Sequence, residues 1–196
     1  MKTIELSKGK RVDLRKGATR FTVETAWAPK NRQSIDVDLI CIQLDRGRRL
    51  SDILFYNTTY RDPETGLLST DDRSVQYSGD SRGTESENME FMEVDLTKVS
   101  PDTKSLLFVV NIYEAHKSGQ SFGDCRSIEI TLKEGSADVP RLVYRPDEDY
   151  GRSRYLELLE ITRGATGWEV VPVGTGSIND LATNLGKYTN NINGNG

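Results

Sequence analysis

The chain has 196 residues, 35% hydrophobic and 29% charged, with a formal net charge of −4 at neutral pH. That is enough chain to bury one core without staples. The charge argues against nucleic acid as a main partner, and no apolar run is long enough to span a bilayer. The segment Met1–Lys8 puts charges where a secretory leader needs an apolar stretch, so a cytoplasmic home and a protein that is not itself membrane-embedded are expected. Cys41 and Cys125 stand far apart and outside any Cys-x-x-Cys pairing, which suits two reduced thiols rather than a zinc site.

In chain order, Ile4–Leu14 reads as two short strands about a Ser7-Lys8-Gly9 turn. Phe21, Val23, Thr25 and Trp27 alternate as one face of a half-buried strand. Ile35–Leu44 is apolar at both parities and reads as a central strand, with Asp36 and Asp38 on one face at its entrance. Carboxylates so placed need a cation, an arginine or hydrogen bonds. Asp45–Arg48 turns the chain, and Ile53–Asn57 is a further short strand. Asp62-Pro-Glu-Thr-Gly66 is a turn, because proline presets φ and glycine accepts positive φ.

Val75–Tyr77 leads into an acidic loop, Gly79–Glu93, which gathers Asp80, Glu85, Glu87, Asn88, Glu90 and Glu93 against Arg82. Short oxygen-bearing side chains on a glycine-jointed loop can fold around Ca²⁺, which takes six to eight oxygens in irregular geometry; a solvated acidic loop is the plainer alternative. Extended structure resumes at Met92–Leu96, Ser100-Pro101-Asp102 opens a single helical turn, and Ser105–Tyr113 is a second central strand that delivers Glu114. After a loop over Lys117–Asp124, strands follow at Ile128–Leu132 (edge or half-exposed), Leu142–Tyr144, Tyr155–Ile161 and Trp168–Val173, the last two as a hairpin. Ser177 caps a short helix carrying Ile178, Leu181, Ala182 and Leu185 and ending at Gly186. The expected fold is therefore all-β, an antiparallel β-sandwich with one short C-terminal helix. It forms a single domain over residues 1–187, with an Asn/Gly-rich disordered tail over 188–196.

No catalytic constellation stands out. His116 lies in a polar stretch and cannot join either cysteine at zinc spacing, and a Cys125–His116 pair is the best of the weak hydrolase readings. The arginines at 46, 48 and 49 read as a solvated turn rather than a phosphate site.

The order of landmarks resembles the TerD-type tellurite-resistance and stress-response family. Glu5-Leu-Ser-Lys-Gly9, Asp36-Val-Asp38, Gly79-Asp80, Ile112-Tyr-Glu-Ala115 with Gln120-Ser-Phe122, and Gly167-Trp-Glu-Val170 with Val173-Gly-Thr-Gly176 fall in the family's order over residues 4–176. The resemblance implies a Ca²⁺-binding β-sandwich with no known catalytic activity. It would act in resistance to tellurite, other chemical stress or phage, with protein partners in a membrane-linked stress-response assembly. By position, Asp36, Asp38, Asp80 and Glu114 match family carboxylates. The acidic segment departs from the pattern: Ser81 stands for an asparagine and Asn88-Met89-Glu90 for an all-acidic run, Glu85 and Glu87 occupy glycine positions, and Tyr113 replaces a histidine. Met89 cannot ligate a hard cation, so one calcium site is expected to persist and a second to be weakened. The metal set expected is Asp36, Asp38, Asp80, Glu85, Glu87, Asn88, Glu90 and Glu114. The alternative is a small-molecule or glycan-binding sandwich with a degenerate calcium site.

Overall fold

The computed structural model describes residues 3–31, 34–81, 88–135, 137, 139–148 and 150–189, and of residues 78–81 the backbone alone. In chain order the elements are β1 (Ile4–Leu6), β2 (Val12–Asp13), β3 (Arg20–Pro29), β4 (Val37–Asp45), β5 (Leu50–Leu54), β6 (Leu68–Ser69), β7 (Val75–Ser81), β8 (Asn88–Asp95) and β9 (Thr103–Ile112). There follow α1 (Ala115–Ser118), a 3₁₀ turn (Phe122–Asp124), β10 (Cys125–Glu134), β11 (Leu142–Tyr144), β12 (Tyr155–Arg163), β13 (Trp168–Ser177) and α2 (Leu181–Thr189). They form a seven-stranded sheet, β1-β11-β10-β3-β8-β7-β6, and a six-stranded sheet, β2-β13-β12-β9-β4-β5.

The sheets face each other across one core. Phe21, Val23, Met92 and Leu132 from the first sheet meet Leu39, Cys41, Phe108 and Ile161 from the second, all essentially inaccessible. The expected sandwich is present, with one amendment: β1 pairs parallel to β11. The two N-terminal strands also part company. The Ser7–Gly9 turn, with Gly9 at φ 72°, carries the chain from the first sheet to β13 of the second, where β2 pairs.

A third layer explains why some strands are apolar on both faces. Ile40, Ile42, Leu44, Leu107, Val109 and Tyr155 form a second cluster on the outer face of the six-stranded sheet, covered by α2 and by Ile53 and Phe55. β4 is consequently buried at eight of its nine positions, and β12, lying between β9 and β13, is buried almost as fully.

Several expectations shift. β5 lies at Leu50–Leu54, three residues earlier than expected, because the Asp45–Arg49 turn is tight and sets Leu50 opposite Leu44. Ser100–Asp102 is not a helical turn but a reverse turn closed by Thr103 N donating to Ser100 O, since β9 begins at once. The stretch expected as loop at Lys117–Asp124 holds the end of α1 and the 3₁₀ turn. β10 is no edge; it lies between β11 and β3 with one face to solvent. The β12–β13 hairpin is as expected, closed by Gly164 N donating to Gly167 O.

The terminal helix differs most. Ser177 ends β13 opposite Tyr155 and cannot cap it; Asp180 does, its Oδ1 accepting Thr183 N at 2.8 Å. Ile178 is exposed, and the helix runs through Gly186 to Thr189. Its last turn carries a polar latch: the Tyr188 hydroxyl donates to Glu157 Oε1 at 2.7 Å and Lys187 Nζ pairs with the same oxygen. Burial first, then Glu157, pushes the Tyr188 phenol well above its ordinary range. A hydrogen bond to a buried charge is worth about 1.5–3 kcal/mol. Tyr188→Phe is therefore expected to lower unfolding free energy by about that amount in chemical denaturation, whereas exposed Ile178→Ala should change it by less than about 0.5 kcal/mol.

Candidate functional site

The entrance of β4 is fixed by backbone carbonyls before any acid is considered. Trp27 Nε1 donates to Ile35 O at 2.9 Å, Gln120 Nε2 to Ser34 O at 2.9 Å, and Tyr113 N to Asp36 O at 2.9 Å. Asp36 and Asp38 then fall on the outer face by strand alternation, in line with Ile40 and Ile42. Asp36 is exposed; Asp38 is 7% exposed, opposite Asn111 of β9.

Pairing between β4 and β5 starts at Cys41, opposite Leu54. Just before it, the amide of Leu39 donates to the carboxylate of Glu90, which reaches over from β8 of the other sheet. Glu90 is 2% exposed and lies opposite Thr25, on the inward face it shares with Met92 and Val94. Asn88 and Glu90 therefore belong to a strand rather than to a loop, which corrects the expected Gly79–Glu93 loop. The reason is periodicity: Asn88, Glu90, Met92 and Val94 alternate inward, and the acids concealed an amphipathic strand. The β7 backbone continues through Ser81, with Asp80 opposite Glu90; the side chain of Asp80 and all of Glu85 and Glu87 lie outside what is described.

Glu114 follows β9 in a left-handed conformation, φ 44°, which a residue with a Cβ rarely adopts. Its carbonyl is held by Lys117 N at 2.8 Å and Ser118 N at 3.2 Å, and its carboxylate pairs with exposed Lys117 Nζ at 2.5 Å. Asp36, Glu114, Tyr113, Ser34 and Gln120 line one cleft of about 410 Å³. Tyr56, which the sequence reading passed over, stands edge-on to Tyr113 at 5.5 Å. Its phenol is pushed up by burial and then by Asp38, Tyr113, Glu114 and Asp36, so three of the expected acids act on one hydroxyl.

The structure sets Asp36 and Glu114 in one cleft and Asp38 two residues further along β4, with Glu90 tied to the neighbouring amide. Among the described residues no three His, Cys, Asp or Glu side chains stand close enough to hold a metal by themselves. Elsewhere His116 is exposed on α1, and Cys125 is buried, its thiol pushed up to about 11 by burial and then by Asp124, so it stays protonated at neutral pH. Also missed were Asp72, whose carboxylate accepts Ser74 N, Ser100 N and Thr70 Oγ1, and buried Glu157. An acid inside an apolar run was the only available signal for Glu157.

The fold is thus a two-sheet β-sandwich with acids at the entrance of one central strand. The TerD domain model matches residues 1–188; the chain belongs to the TerD domain family. It is 27% identical over 193 residues to "Stress response protein SCP2" of Bacillus subtilis (strain 168), covering 89% of this chain and 92% of that one. It is 27% identical over 195 residues to "Tellurium resistance protein TerD" of Serratia marcescens, covering 95% and 97%. Among solved structures, a homologue of telluride resistance protein (TerD) from Streptomyces coelicolor A3(2) superposes with a TM-score of 0.65 at 21% identity, over 86% of this chain and 96% of that one. No helix among the described residues is long and apolar enough to cross a membrane.

Removing the Glu90 carboxylate leaves the buried Leu39 amide without that acceptor, a loss of about 1–3 kcal/mol. Glu90→Ala is expected to lower stability by at least that amount in denaturant unfolding, and Glu90→Gln, which keeps an oxygen, by distinctly less.

Proposed function

We propose that this chain is a non-enzymatic, Ca²⁺-binding adaptor in a bacterial stress response, cytoplasmic and acting through protein partners, membrane-linked ones among them. The family membership, and the stress-response and tellurium-resistance names of its relatives, support the general role. The observation that supports the metal reading is that Asp36 and Glu114 line one cleft, with Asp38 two residues further along on the same strand face.

The donors fit the ion in kind. They are carboxylate and amide oxygens, the hard ligands that Ca²⁺ takes, with no thiol or imidazole among them. Asp36, Asp38 and Glu114 would hold it from the β4–β9 side; Asp80, Glu85, Glu87 and Asn88 would hold it from the β7–β8 side, with Glu90 anchoring the junction. Calcium would supply positive charge that neutralises these acids and so fixes the β7–β8 turn against β4. That couples ion binding to the shape of a surface for partners. Lys117 competes for Glu114 and would be displaced.

The test is thermal unfolding in EDTA and in excess Ca²⁺, with Mg²⁺ as control. At a hundredfold over Kd, calcium should add about 2.7 kcal/mol, raising Tm by about 5–10 °C. The shift should be selective for Ca²⁺ and largely lost in Asp36→Asn and Asp38→Asn. An identical Tm in EDTA and Ca²⁺ would overturn the metal reading.

A further inference from the structure

The six-stranded sheet carries a cluster of cations at the end away from Asp36 and Asp38. Where β4 ends, β9 begins, β12 ends and β13 begins, Arg11, Arg46, Arg48, Lys104, Arg163 and Glu160 line a cleft of about 570 Å³ together with Asp45 and Glu169. Its charges do not cancel. Arg11 pairs with Glu169 and Arg48 with Glu160, each at 2.8 Å. Asp45 is engaged from outside the cleft by Arg49, at 2.7 Å, and by the Gly47 and Arg49 amides. Among the described residues, no carboxylate lies within ion-pair distance of Arg46, Lys104 or Arg163.

Two of these three cations are held in place by neutral groups. Arg163 Nε donates to Thr103 O at 2.9 Å, and its Nη2 to Val99 O at 3.0 Å and Ser100 O at 3.2 Å. Its guanidinium lies over the Trp168 ring, 4.3 Å from the centroid, and Lys104 Nζ donates to the Arg163 carbonyl. These contacts orient the charges without neutralising them, so the ordering cost is met before a ligand arrives. Burial, and then Arg46, draw the Arg163 guanidinium below its ordinary value. In a chain of net charge −4 such an excess is local, and a concave site focuses its field.

We propose that this cleft binds the phosphoryl group of a small phosphorylated ligand, with Arg46, Lys104 and Arg163 as its recognition residues. Arginine and lysine are the side chains suited to phosphate oxygens. The volume exceeds what a lone phosphate fills and lies in the range of small-ligand sites. The turn bearing Arg46, which by sequence reads as merely solvated, is one wall of the site. This end is separate from the acidic entrance, so the two readings stand or fall independently.

The test is isothermal titration calorimetry on the full chain in EDTA at low ionic strength, with pyrophosphate as probe and inorganic phosphate as comparison. Saturable one-to-one binding is expected, weakened about tenfold or more by Arg46→Glu and by Lys104→Met. Arg46→Lys should restore most of it, with Tm unchanged in the Arg46 variants, since among the described residues this side chain makes no hydrogen bond or ion pair. Asp36→Asn should leave it intact. Absence of saturable heat to about millimolar pyrophosphate, unchanged binding in Arg46→Glu, or equal affinity for inorganic phosphate would each overturn the proposal.

Discussion

The contact on which the acidic end depends is the bond from the Leu39 amide to the Glu90 carboxylate. It ties the two sheets together just beyond the point where β5 ceases to cover β4. A carboxylate at 2% exposure is tolerable only if its oxygens are engaged. Here the acceptor completes an amide that would otherwise be a buried unmet donor. The same bond places the start of β8 beside β4. Geometry at this end is therefore set by a buried hydrogen bond rather than by exposed ion pairs, which contribute little.

The third layer gives the arrangement its rigidity. Because α2 and the segment after β5 seal the outer face, β4 and β9 cannot shift register without exposing an apolar set on one side or the other. Asp36 and Asp38 at one end, and Lys104 at the other, ride on these two strands and are positioned by them. One sheet thus carries acids at one end and uncompensated cations at the other, about 30 Å apart by the rise of a nine-residue strand.

Much of this was legible in the sequence. Strict alternation gave β3, and double-sided apolarity gave β4 and β9, because burial on both faces leaves no polar parity. Asp36, Asp38 and Glu114 could be singled out as candidates because acids at apolar strand ends stand out. Asn88 and Glu90 were misread as loop because charged residues at inward positions mask a period of two; only the pairing with Trp27 and Thr25 reveals it. The α2 cap was misplaced by three residues because Ser177 and Asp180 are equally good caps locally, and the choice is made by β13 pairing through Ser177. Tyr56 and the cleft around Arg163 have no local signature at all: their neighbours come from four or five separate segments. Glu157 was hidden by its own strand, because Lys187 and Tyr188, which engage it, lie about thirty residues away on α2.

Tyr56 offers the most direct reading of the central claim, since it stands edge-on to Tyr113, and burial and then Asp38, Tyr113, Glu114 and Asp36 push its phenol up. Its ring resonances can be followed by NMR as Ca²⁺ and then Mg²⁺ are added, and its ionisation followed against pH in each case. If calcium is held by those acids, the resonances shift saturably with Ca²⁺ and not with Mg²⁺. The phenol should then ionise at lower pH, because the negative charge opposing phenolate has been neutralised. Resonances and ionisation unmoved by calcium would contradict a metal at this end of the sandwich.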